Sequence, residues 1–417
     1  MDVADSAQYT ERLIDARLRR LFTELPAILL TGPRATGKTT TAARLARSVV
    51  RLDRAADAAA FEADPDAALR ARARPVLLDE WQAVPGVLGA VKRAVDDEPG
   101  PGSFLLTGSI RADLKAQTWP GTGRLIRLRM FGLTERELAG SISEETFFDK
   151  LARDDLDAFT LPADKPDLLG YVEQALRGGY PEPALGLSAE ARAAWLAGYL
   201  EQLITRDAET VAGDRDPQRL RRYFEVLALN TAGQPEHKTL YDAAQINRGT
   251  AHAYDSLLSN LFVLDTIPAW TTNRLRRLIK APKRYLIDSA LAGAALGVDA
   301  AGVLRDGDLL GRVIDTFVTA QLRAELELPA YPPRLYHLRD KEGRHEIDLV
   351  AELSGGRILA LEIKATAAPS KRDARHLHWL QAALGDRFIA GAVLHTGPGL
   401  FRLGERILAV PICALWG

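Results

Sequence analysis

The chain is 417 residues long, with 47% apolar and 26% charged side chains, the proportions of a protein that folds in water, which excludes global disorder and a fibrous repeat. Its 54 basic and 55 acidic residues nearly cancel, so affinity for a polyanion has to come from a local patch and not from net charge. A lone cysteine, Cys413, excludes an internal disulfide and a multi-cysteine zinc site.

At ~150 residues per domain the length suggests roughly three domains. The start MDVADSAQYTERLID is acidic and polar, unlike a secretory signal, and no run reaches the ~18 apolar residues of a bilayer span. A cytoplasmic protein without a membrane partner is expected. Over residues 1–140, the apolar runs AILLTG (27–32), VVRLD (49–53), PVLLDE (75–80), SFLLTGS (103–109) and RLIRLRMF (124–131) alternate with helical segments, which predicts an α/β domain with a parallel sheet. Residues 141–212 turn helical, punctuated by Pro162, Pro166 and Gly178-Gly179-Tyr180-Pro181-Glu182-Pro183, and read as a helical lid or connector. The turn-rich stretch Gly213-Asp214-Arg215-Asp216-Pro217 opens residues 213–270, where three short helical patterns and the run LFVLDTIPAW suit a winged helix-turn-helix. Residues 271–417 carry the strands RYLID, RLYHLRD, HEIDLVAEL, RILALEIKA and FIAGAVLH, a second α/β domain.

Gly32-Pro33-Arg34-Ala35-Thr36-Gly37-Lys38-Thr39 fits G-x-x-x-x-G-K-[ST] between an apolar strand and a helical run, with Thr40 continuing into that helix. The glycines let backbone N–H groups wrap phosphate oxygens, and the helix N-terminus adds its dipole. Lys38 is expected to reach the β- and γ-phosphates of ATP and Thr39 to hold Mg2+. In VLLDE, Asp79 supports the same Mg2+ and Glu80 polarises the attacking water. VVRLD lies between the two motif strands, so these need not be neighbours, which favours the additional-strand class. Leu105-Leu106-Thr107-Gly108-Ser109 puts hydroxyls at the end of a further strand, where Ser109 can sense the γ-phosphate or merely close a turn. Arg124 and Arg206 are candidates for the arginine that answers transition-state charge.

In order, LPAILLTGPRATGKTT, VLLDEWQAVPGVL, FLLTGSIRADL, GGYPEPAL and LITRDAETV resemble the bacterial and archaeal AAA-type ATPases that carry a C-terminal domain of unknown function. NRLRRLIKAPKRYLIDSALA and HLRDKEGRHEIDLVAELSGGRILALEIKA extend the resemblance over nearly the whole chain. It implies an AAA-type P-loop NTPase core, a winged-helix segment and a restriction-endonuclease-like terminal fold. Because AAA-type sites often borrow an arginine from a neighbour, it also leaves a homo-oligomer open.

Residues 345–353 and 357–365 alternate as two strands around Ser354-Gly355-Gly356, a hairpin. If Leu353 faces Arg357, Asp348 stands opposite Glu362 and Glu346 opposite Lys364. Strict alternation then gathers Asp348, Glu362 and Lys364 on one side, with Ile347, Leu349, Leu359, Leu361 and Ile363 on the core side. Facing carboxylates at about 5 Å repel unless a cation or proton separates them, and Mg2+ or Mn2+ would do so. The pattern D-x(13)-E-x-K resembles the PD-(D/E)XK nuclease core, in which the carboxylates hold metal and the lysine orients or activates water. The resemblance also puts Asp315, in GRVIDTFVTAQL, where that family tends to have a glutamate from a helix; aspartate shortens the reach.

Lys238 to Asn260 reads as two helices around a turn near Gln245-Ile246-Asn247. Such a unit reads base edges from the start of its second helix, here Asn247-Arg248-Gly249-Thr250, or serves only for protein docking. Arg274, Arg276, Arg277, Lys280, Lys283 and Arg284 form an acid-free basic stripe suited to phosphates. His376 and His378, two apart, do not share a helical face and receive no metal. The leading expectation is an Mg2+-dependent ATPase that couples nucleotide state to nucleic acid, DNA favoured. Two others compete: a nucleotide-gated switch or scaffold for protein partners, and a nuclease regulated by its ATPase.

Overall fold

The computed structural model describes residues 9–110, 123–207, 216–272, 280–340 and 344–417. Helix α1 (Asp15–Phe22) leads to β1 (Ala27–Thr31), and the phosphate loop joins β1 to α2 (Lys38–Ala43). Then come β2 (Ser48–Arg51), α3 (Ala55–Ala63), α4 (Pro65–Arg70), β3 (Val76–Asp79), α5 (Val87–Asp97), β4 (Phe104–Gly108) and β5 (Leu125–Arg129). The strands pair in parallel in the order β2-β3-β4-β1-β5. A strand does separate β1 from β3, but it is β4, while VVRLD takes the outer edge as β2. Each inner strand is apolar on both faces because both are covered. Ala27 and Leu29 pack with Phe61, Leu69 and Val91 from α3 to α5, whereas Ile28 and Leu30 meet Leu18, Phe22 and Ala42 from α1 and α2.

The chain continues through α6 (Glu135–Leu138), α7 (Phe147–Ala152), α8 (Leu168–Arg177), α9 (Pro181–Gly186) and α10 (Ala189–Gln202). A π-helical turn, Leu203–Asp207, ends α10. The expected connector divides between its neighbours. Phe147, Leu151, Tyr171 and Val172 bury themselves against the last sheet, whereas Leu196 and Leu200 join the middle of the molecule.

That middle holds α11 (Pro217–Leu229), α12 (His237–Ala243), α13 (Arg248–Asn260) and the antiparallel pair β6 (Leu264–Ile267) and β7 (Lys283–Leu286), followed by α14 (Ala290–Leu296). Leu286, Leu291 and Ala292 pack with Tyr223 and Leu227, so the boundary expected at 270 falls inside one two-stranded sheet. Of the break at 213–217, Gly213, Asp214 and Arg215 lie outside the described residues.

After α15 (Ala300–Arg305) and the long α16 (Gly307–Glu325) come β8 (Arg334–Arg339), β9 (Glu346–Glu352), β10 (Ile358–Lys364), α17 (Arg375–Leu384), β11 (Phe388–His395), β12 (Phe401–Gly404) and β13 (Ile407–Pro411). They form a mixed sheet ordered β12-β13-β11-β10-β9-β8. Helix α16 covers one face with Val313, Phe317 and Val318 against Leu359, Leu361 and Ile363. Helix α17 covers the other with Leu377 and Leu380 against Ile358, Ala360 and Val393. Among the described residues no helix is long and apolar enough to cross a membrane.

Candidate nucleotide site and carboxylate cluster

The loop after β1 folds tightly because its glycines accept what other residues resist. Gly32 and Gly37 have φ of 155° and 88°, and a Cβ on Gly32 would stand 2.0 Å from the Met130 carbonyl oxygen. Lys38, 4% exposed, turns back so that Nζ donates to the Pro33 carbonyl at 2.5 Å. Burial lowers its pKa to about 8, against the pull of Glu80 and Asp79. Thr39 Oγ1 donates to Asp79 Oδ1 at 2.7 Å across α2 and β3. These two oxygen donors suit a hard divalent cation. The Thr40 side chain is exposed.

Glu80 turns the chain at φ 53°, and its Oε2 accepts from Ser109 Oγ at 2.9 Å and from Gln82 Nε2. Arg34 Nε reaches the same Ser109 hydroxyl at 3.4 Å. Lys38, Thr39, Asp79, Glu80 and Ser109 therefore meet at the carboxyl ends of β1, β3 and β4. Arg124 does not join them. It precedes Leu125, which pairs with Ala27 at the far end of β1, and it binds Asp96 at 2.8 Å. Arg206 lies in the π-helical turn with its side chain exposed.

Sequence patterns missed Arg12. It is 4% exposed and donates Nη1 to the Thr36 carbonyl at 2.8 Å, Nη2 to the Phe131 carbonyl at 2.8 Å and Nε to Glu137 Oε1 at 3.0 Å. Nothing periodic marks an arginine that reads carbonyls, because its partners are distant in sequence. Arg12→Lys keeps the charge but loses the planar fork. It is expected to weaken ATP binding by roughly tenfold, for about one charged hydrogen bond, in a fluorescent-nucleotide titration. Beside the loop, Arg34 and Ala35 border a groove of about 400 Å³ walled by Trp195 and Tyr199, whose rings stack at 12° and 5.4 Å.

In the last sheet the hairpin register is the expected one, from Ile358 opposite Glu352 to Leu361 opposite Leu349. Its facial pattern differs. Leu349 packs on the α16 side and Ile347 on the α17 side, so strict alternation breaks at Asp348. Asp348 Oδ2 accepts from the Ile363 N–H at 2.9 Å, and Lys283 Nζ lies 3.1 Å from Asp348 Oδ1 and 2.6 Å from Asp315 Oδ2. Glu362 Oε2 accepts from Lys364 Nζ at 2.8 Å, and Oε1 lies 3.4 Å from His376 Nδ1. Burial raises the pKa of Asp315 and of Glu362, whereas Asp348, which burial alone would raise, is held low by Lys283 and Lys364.

A metal site at Asp315, Asp348 and Glu362, the residues expected to hold Mg2+ or Mn2+, finds no support in the structure. Among the described residues no group of three or more His, Cys, Asp or Glu could hold a metal ion. His376, set aside at the sequence level for its spacing to His378, joins the cluster through Glu362.

The basic stripe is corrected as well. Lys283 and Arg284 are 3% and 4% exposed, Lys280 donates to the Arg339 carbonyl at 2.9 Å, and Arg274, Arg276 and Arg277 lie outside the described residues. The helix pair is where it was expected: Asn247 caps α13 by accepting from the Thr250 N–H at 2.8 Å. His237, Lys238, Tyr241, Arg248, Gly249 and His252 line a groove of about 590 Å³ between α12 and α13.

Comparison with known proteins gives three family matches. Residues 24–139 match the family model described as an AAA domain, residues 310–415 a domain of unknown function (DUF4143), and residues 169–302 another (DUF8612). The chain is 29% identical over 408 residues to two relatives, "Uncharacterized protein Rv2008c" of Mycobacterium tuberculosis (strain ATCC 25618 / H37Rv) and "Uncharacterized protein Mb2031c" of Mycobacterium bovis (strain ATCC BAA-935 / AF2122/97). Each alignment covers 95% of this chain and 82% of the relative. The chain thus joins an AAA-type domain, over residues 24–139, to a C-terminal DUF4143 domain over residues 310–415.

Proposed function

We propose that this protein binds and hydrolyses ATP with Mg2+ and passes its nucleotide state to the DUF4143 domain. The observation that carries the reading is the meeting of Lys38, Thr39, Asp79, Glu80 and Ser109 at one end of the first sheet. Lys38 and the loop N–H groups hold the phosphates. Glu80 orients water for attack on the γ-phosphorus, and Ser109 keeps that carboxylate aimed. Thr39 and Asp79 would hold Mg2+, which would supply positive charge to the phosphates.

Buried and partly buried ion pairs support the coupling. Arg12 ties the phosphate loop to Glu137 of α6, and the next residue back, Arg136, pairs at 2.7 Å with Glu325 at the end of α16. Asp265 of β6 binds Arg129 of β5 at 2.8 Å and Arg323 of α16 at 2.9 Å. A shift of the phosphate loop therefore acts on rigid partners in the other domains, as a nucleotide-gated switch requires.

A second reading assigns a nucleic-acid partner, DNA favoured, to α11 to α13 and the β6–β7 sheet acting as a winged helix. Its support is the basic groove of His237, Lys238, Arg248 and His252 between α12 and α13. Phosphate release from Mg-ATP, measured with and without single- and double-stranded DNA beside Glu80→Gln, tests both. The expected result is turnover that Glu80→Gln lacks; absence of turnover above that variant would sink the hydrolysis. Stimulation by DNA favours the second reading, and turnover indifferent to DNA favours a switch acting on proteins.

A further inference from the structure

We infer that Lys283 is the resident cation of the C-terminal carboxylate cluster, and that this cluster is a socket fastening the β6–β7 sheet to the last domain instead of a metal centre. Two ammonium groups of the chain itself stand among the three carboxylates, and an imidazole lies beside the third. Asp315, Asp348 and Glu362 face Lys283, Lys364 and His376, all supplied by the chain itself.

Both oxygens of each aspartate are already engaged, while Glu362 Oε1 is buried without a hydrogen-bond partner. Lys283 takes one oxygen of Asp315 and one of Asp348, and the second oxygen of Asp348 accepts from the Ile363 N–H. The second oxygen of Asp315 accepts from Tyr285 Oη at 3.2 Å and Thr319 Oγ1 at 3.1 Å. Mg2+ requires a near-octahedral set of oxygens at about 2.0–2.1 Å. Here an ammonium fills the space between two of the expected ligands.

The lysine arrives by strand geometry. In β7 alternate side chains point opposite ways. Lys283 and Tyr285 reach Asp315 on α16, while Arg284 reaches the other way, to His237 Nε2 at 2.7 Å and Asp255 Oδ2 at 3.3 Å in the middle domain. One short strand thus holds both bodies. Lys283 is 3% exposed, so its desolvation is offset only while both aspartates stay ionised around it.

The test is Mn2+ uptake by the full chain without nucleotide, read from the paramagnetic resonance of free Mn2+ and from the thermal midpoint with and without the metal. Wild type is expected to show no uptake that Asp348→Asn removes, and a midpoint unmoved by Mn2+. Lys283→Ala is expected to melt lower, to take up about one Mn2+ per chain by filling the vacated cation position, and to recover its midpoint with the metal. Lys283→Ala/Asp348→Asn is expected to lose that uptake. Wild-type uptake that Asp348→Asn abolishes would overturn the inference. So would a folded Lys283→Ala that ignores Mn2+. Should Lys283→Ala not fold, Lys283→Met, which keeps the packed stem, takes its place, and the wild-type arm decides by itself.

Discussion

Lys38→Ala is expected to abolish phosphate release from Mg-ATP while the chain stays folded. The lysine is buried, its ammonium is already turned into the loop it closes, and two carboxylates, Asp79 and Glu80, act on it. Without it, negative charge on the phosphates meets negative charge on the protein. Loss of a single preorganised donor to transition-state charge typically costs roughly 10²–10³ in rate, and a full positive charge is worth more. A coupled phosphate-release assay at saturating ATP reads the loss, with circular dichroism as the control for folding. Turnover like that of wild type in this variant would remove the hydrolytic assignment. Glu80→Gln is expected to differ in kind: it keeps nucleotide binding and loses turnover, because the phosphate cradle does not include it.

Glu325→Ala is expected to destabilise the chain by about 3–5 kcal/mol in urea unfolding, the range for breaking a buried ion pair from one side. Glu325, 3% exposed, accepts from Arg136 Nη1 at 2.7 Å and from the Phe147 N–H at 2.6 Å. The alanine leaves a guanidinium and an N–H in a site closed to water. Glu325→Gln keeps one of the two accepting oxygens and turns an NH2 toward the other donor, so it should recover only part of the loss. A change below about 1 kcal/mol would mean that Arg136 finds the Ser141, Ser143 and Glu145 carbonyls sufficient.

The parts of this molecule legible in sequence are those whose physics is local. Continuous apolar runs marked the inner strands, because a covered parallel strand has to be apolar on both faces. The phosphate loop was readable because its glycines, lysine and threonine lie within eight consecutive positions, and the hairpin register followed from a short turn. What escaped depends on distant partners. The edge strand β12 is exposed at Phe401 and Arg402 and has no periodic signature. Lys283 and Arg284 looked like surface charge in an acid-free stretch, yet each is buried because Asp315, Asp348 and Asp255, up to 65 residues away, supply its counter-charge. The facial break at Asp348 was invisible because alternation assumes an ideal ladder, and Arg12 was invisible because its partners are mostly carbonyls, which every residue has.

The two-sided strand β7 makes the molecule sensitive to counting. Four residues, Lys283–Leu286, send one positive charge to each side. Deleting or adding a single residue just before them would exchange the sides, offering the longer, forked guanidinium to the aspartate socket and the single ammonium to His237 and Asp255. Composition and net charge would be almost unchanged, yet both joints would be mismatched at once, and Tyr285 and Leu286 would exchange faces with them.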